Sequence, residues 1–118
     1  MRDIAPPIPF VTLDLETIRA IPAAPGDDPM AFPPPPVHRI VCVGRAFVSM
    51  REDRPWARIV SVWSEDEAAL VREVVKSTSD RSTLVTFNGR RFDLPVVNSA
   101  CMRHRIAWPW FYYSHGAR

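Results

Sequence analysis

The 118-residue sequence has no run of 18 apolar residues, so no helical membrane span is expected. Its start, "MRDIAPPIPF", lacks the apolar stretch of a secretory signal. Only two cysteines occur, Cys42 and Cys101, and they form no CxxC spacing. They read as buried thiols rather than a disulfide, which fits a reducing cytoplasm. A strong basic excess is also missing. The net charge of +2 is a weak footprint for nucleic acid, although it permits a locally basic groove. A local absence matters more: no Lys or Arg lies between Asp3 and Arg19.

That gap surrounds "FVTLDLET", residues 10–17, which sets two carboxylates in an apolar run. Side chains two apart on a strand point the same way. Thr12, Asp14 and Glu16 therefore share one face, and Val11, Leu13 and Leu15 the other. Burial is expected in such a run, and a buried carboxylate without a partner is costly unless neutralised or bound to a cation. The run reads either as a core strand whose acids hold a metal ion or as an edge strand with a solvated acidic face. Spacing alone does not decide. Thirteen acids in 118 residues make one or two acid-x-acid pairs expected by chance, and Glu65/Glu67 is a second such pair.

The composition, 47% apolar and 24% charged, is that of one soluble globular domain over residues 1–118. After the first strand comes a proline-rich loop, residues 19–37, with seven prolines between positions 22 and 36. Proline removes donors and fixes φ, so this segment is extended loop. It is either a ligand for an aromatic groove or an inert surface excursion. Residues 38–50 predict a strand with Gly44 as a bulge candidate, and 56–64 a second strand. Together they form a hairpin whose five-residue turn lacks Asn-Gly, leaving the register open. Residues 64–77 predict a helix with a Ser64/Glu67 capping box and an inward stripe of Leu70, Val71, Val74 and Val75. Glu65 and Glu67 then sit in the first turn, where the helix dipole favours acids. A short strand at 82–89 ends in Asn-Gly. A helix over 92–106 follows, with Asp93 as N-cap, Pro95 in the first turn, and Leu94, Val97 and Cys101 facing inward. His38 reads as a surface residue at a strand start, and His104 as a helix-end residue favoured by the dipole.

Strand, hairpin, helix, strand, helix is an α/β order, with the strand at 82 parallel to the first. That arrangement puts Asp93 at the carboxyl edge of the sheet, where open α/β sheets bind ligands. Asp93 would then approach Asp14 and Glu16, and three acidic oxygen donors suit Mg²⁺ or Mn²⁺. Taken singly, Asp93 is also an ordinary helix cap and Asn-Gly an ordinary turn.

"VTLDLET", "HRIVCVGRAFV" and "LVTFNGRRFDLPVV", in that order, resemble successive segments of the DnaQ-like, or DEDD, 3′–5′ exonuclease superfamily. They are most similar to a bacterial branch of predicted exonucleases related to the proofreading domain of family B DNA polymerases. The resemblance covers about residues 8–107, and "NGxxFDxPV" is its specific part. It implies a ribonuclease H-like fold: a mixed sheet of hairpin and parallel strands flanked by helices. Asp14 and Glu16 match the first motif and Asp93 the acid of the second, with Asn88 and Phe92 in that motif's frame. All three acids are implied as catalytic metal ligands in a two-metal site that hydrolyses phosphodiester bonds. The implied partner is the 3′ end of single-stranded DNA or RNA. Asn88, Arg90, Arg91 and Phe92 are the implied nucleic-acid contacts, the arginines through phosphates.

The sequence departs from that pattern in one respect. The superfamily has a third motif, a later helix with a fourth acid and a His or Tyr that orients water. No acid follows Asp93, although Tyr112, Tyr113 and His115 are present. The sequence therefore reads as a truncated domain, inactive alone or completed by another chain, with the aromatic tail Trp108–Tyr113 left to drive association. The alternative is a non-catalytic remnant that binds nucleic acid or protein.

Overall fold

The computed structural model describes residues 10–28, 31, 33–78 and 83–112. The elements in chain order are β1 (Phe10–Arg19), β2 (His38–Arg51), β3 (Arg54–Trp63), α1 (Glu67–Ser77), β4 (Thr83–Val85) and α2 (Asp93–His104). The four strands form one mixed sheet in the order β3-β2-β1-β4. β1 runs antiparallel to β2 and parallel to β4. This is the expected α/β architecture, consistent with a ribonuclease H-like fold.

β1 follows the two-residue alternation. Val11, Leu13 and Leu15 are buried, while Asp14 and Glu16 are exposed. They face a core formed with Ile40 and Val43 of β2, Leu70, Val71 and Val74 of α1, and Val96, Val97, Ala100 and Cys101 of α2. The expected burial of Asp14 and Glu16 is thus overturned. Their strand is interior rather than an edge, but both helices pack on the opposite face of the sheet.

Local expectations shift for identifiable reasons. The hairpin turn has two residues rather than five: Arg51 pairs with Arg54 across Glu52 and Asp53. Their φ values of 50° and 62° are the left-handed pair of a type I′ turn, whose twist suits antiparallel strands. The bulge falls between Glu16 and Thr17, opposite Val41, whereas Gly44 pairs regularly with Asp14. The cap of α1 is Asp66, which accepts from the Ala69 N–H, while Ser64 accepts from the Asp66 N–H. That displaces the Ser64/Glu67 box and leaves Glu65 ahead of the helix. α2 starts at Asp93, so Phe92 holds the cap position. β4 is three residues long, shorter than the strand expected at 82–89.

Glu67 turns inward and binds four groups. It accepts from the Ile40 N–H at 2.7 Å and from Arg103 at 3.0 Å, and pairs with His104 Nε2 at 2.8 Å. One carboxylate so ties β2, α1 and α2 together. His104 has this partner in addition to its helix-end position. His38 is buried rather than on the surface. Its ring bonds Thr17 Oγ1 at 2.8 Å and the Pro33 carbonyl at 3.0 Å, anchoring the proline-rich loop. That loop is closed at its base by the Ala20 N–H donating to the Val37 carbonyl. Arg45, buried on the helix face of β2, reaches Glu73 and Ser77 of α1.

The aromatic tail does not project. Trp108 and Trp110 belong to the core, and Trp108 donates to Thr78 Oγ1 at 2.9 Å. Tyr113 and His115 lie outside the described residues.

Candidate metal and nucleic-acid site

β4 pairs Phe10 with Thr83, Val11 with Leu84 and Thr12 with Val85. The chain then leaves the carboxyl edge of the sheet through residues 86–92 and enters α2 at Asp93. The connection is tightly built. Arg91 N–H and Phe92 N–H both donate to the Asn88 carbonyl, and Leu94 N–H donates to the Gly89 carbonyl. Gly89 is buried against Thr86, and a Cβ there would fall 1.9 Å from Thr86 Oγ1. Asn-Gly is therefore demanded by close approach, and it fixes where Asp93 emerges.

Asp93 is only 5% exposed. Among the described residues no hydrogen bond or ion pair to its carboxylate is found. Burial, and secondarily the charge of Asp14, push its pKa up to about 6. The carboxylates of β1 and α2 therefore share one electrostatic environment, as the parallel pairing requires. Glu16 lies across from Cys42 on β2. Burial first, then the charges of Glu16 and Asp14, raise the Cys42 thiol above its ordinary value. Among the described residues no three His, Cys, Asp or Glu side chains are grouped so as to hold a metal ion. The three-acid cage is thus not assembled in this arrangement, and the Asp14–Asp93 pair is its electrostatically coupled part.

Asn88, Arg90 and Arg91 are exposed on the connection. Phe92 is half-buried, with its ring edge-on to His38 at 5.0 Å between centroids. Sequence reasoning passed over Phe87, whose ring is fully exposed beside these residues. Its place one residue before Asn-Gly was the available signal.

Residues 30–118 match the family described as predicted 3′-5′ exonucleases related to the exonuclease domain of PolB. The chain belongs to that family. Among curated proteins and among solved structures, nothing matches the chain. The match contains Asp93 and the whole 86–92 connection. It begins after β1, so Asp14 and Glu16 join the exonuclease-like site through strand pairing. Membership implies a nucleic-acid substrate, and exonucleases of this kind generally use divalent metals. Among the described residues, no helix is long and apolar enough to cross a membrane.

Proposed function

We propose that the chain carries a metal-dependent 3′–5′ exonuclease site for single-stranded DNA or RNA ends. Asp14 and Asp93 would be its cation ligands, with Glu16 beside them. The carrying observation is Asp93: a buried carboxylate with no donor among the described residues and a second acid near enough to raise it to about 6. Oxygen donors in that state fit Mg²⁺ or Mn²⁺, whose binding removes both the desolvation and the repulsion. A bound divalent cation supplies positive charge for the phosphodiester and lowers the pKa of a water. Arg90 and Arg91, exposed on the 86–92 connection, would take the strand's phosphates and Asn88 a polar group near them. Phe92, packed on His38, would set the connection's position.

One observation favours a second reading, a remnant that binds nucleic acid without cutting it. Among the described residues no third donor joins the pair, so a second cation lacks a ligand set in this arrangement. Mn²⁺ titration and a 3′-labelled oligonucleotide separate the two. The nuclease reading expects Mn²⁺ to raise the melting temperature and mononucleotides to appear, slowly. Release should fall about 100-fold or more in Asp14→Asn and in Asp93→Asn. Oligonucleotide binding without release supports the remnant. Failure of Mn²⁺ to bind sinks the metal site.

A further inference from the structure

Phe87 is exposed to the full extent of its side chain, whereas Phe92 and Phe111 pack against the core. Slackness of the chain does not explain this. Phe87 opens a connection closed by three backbone hydrogen bonds and by the Thr86–Gly89 contact. Its direction follows from the sheet. Val85, level with Thr12 in the parallel register, is exposed on the same face as Thr12 and Asp14. Two residues further along, Phe87 is level with Asp14. The ring therefore stands beside the acids on the open face of the sheet, with exposed Arg90 and Arg91 just after it.

A flat apolar ring, two guanidinium groups and an acidic centre match the three parts of a nucleotide at a chain end: base, phosphates and cation-bound scissile phosphate. We infer that Phe87 is the stacking platform for a nucleobase adjacent to the scissile phosphate, an inference that rests on the nuclease reading above. Every base has a π-face, so such a platform holds the strand without choosing a sequence. This suits an exonuclease that must accept each new terminus in turn.

The test is a binding cycle on the full chain with Ca²⁺ in place of Mn²⁺ to hold hydrolysis back. The probes are oligo-dT and the same strand with one abasic residue at the last or next-to-last position. The wild-type chain should lose about ten-fold in affinity on one of the abasic strands. Phe87→Ala should lose about as much on intact oligo-dT and nothing further on the abasic strand, while Phe87→Trp keeps most of the affinity. Because Phe87 is exposed, these variants should fold and bind Mn²⁺ like the wild type. Equal affinity of Phe87→Ala and wild type for oligo-dT overturns the platform, as do losses that simply add. If Mn²⁺ still binds in that case, the metal site survives. Coupling between Phe87→Ala and the abasic residue in a chain that binds no Mn²⁺ would instead keep the platform and overturn the nuclease reading.

Discussion

Two buried acids, Asp93 and Glu67, respond to their surroundings in opposite senses. Burial pushes the Glu67 carboxyl up, but hydrogen bonds from His104, the Ile40 N–H and Arg103 outweigh it, and its pKa ends below the ordinary value of 4.5. A lowered folded-state pKa gives stability that is present above the unfolded value and lost as pH falls through the folded one. Below pH 4.5 Glu67 therefore contributes to acid unfolding. Glu67→Ala should cost about 3–5 kcal/mol in urea denaturation at pH 7, because it strands Arg103 and the Ile40 N–H. A loss under about 1 kcal/mol would mean that water satisfies these groups as well as Glu67 does. Asp93 works the other way. Its pKa rises from 3.8 to about 6, so its contribution is fully present below pH 3.8 and lost as pH rises through 6. At about 1.4 kcal/mol per unit, wild type should lose up to about 3 kcal/mol relative to Asp93→Asn between pH 4 and pH 8 without metal. Mn²⁺ should restore that stability in wild type and not in the variant. Parallel pH profiles for the two proteins would show that Asp93 is solvated.

The β2–β3 hairpin places Glu52 and Asp53, two residues with a Cβ, at positive φ. The type I′ geometry is imposed by the twist of a long antiparallel ladder, which runs from Cys42↔Trp63 to Arg51↔Arg54. Side-chain preference opposes it, by about 1 kcal/mol per residue or more. Replacing Glu52-Asp53 by Asn-Gly should therefore stabilise the chain by about 1 kcal/mol, read as a higher urea midpoint at unchanged slope. A lower midpoint would place the turn elsewhere. The same ladder explains why a five-residue turn was expected. "REDRP" carries turn formers throughout, and its charges give no sign of which two residues turn. α1 was easier to read because its Leu70, Val71 and Val74 stripe repeats at helical spacing and is buried as that spacing demands.

At the scale of the whole molecule, the two faces of the sheet differ. One is covered by α1, α2 and the tryptophans. On the other, the register aligns Cys42, Gly44, Ala46, Val48 and Met50 of β2 with Trp63, Ser61, Ile59, Ala57 and Pro55 of β3. None of these carries a charge, and Ile59 is 79% and Trp63 68% exposed. Asp14 and Glu16 are the only charges on the β1 part of that face. Apolar surface of this extent favours association. Association was expected from the tail, but the tail is core, and the open sheet face takes over that role. The purified chain should bind the dye ANS and sediment faster as its concentration rises. Ile59→Lys with Trp63→Ser should reduce both effects while leaving the Mn²⁺ response intact. No change in either measurement would show that this face does not govern association.

The sequence alone determined the periodic and local features. These are the alternation in β1, the helical stripe of α1, the α/β order, the close turn at Asn-Gly and the three acids as candidates. Each rests on neighbours a few residues apart, where strand or helix geometry leaves little choice. Only the tertiary structure decided which face of β1 meets helices, and hence that Asp93 is buried while Asp14 and Glu16 are exposed. The same long-range packing sent Glu67 and His38 inside and brought Trp108 and Trp110 back to the core, and it left Phe87 standing beside Asp14. Burial depends on what covers a residue from far along the chain, and hydrophobic spacing carries no record of that.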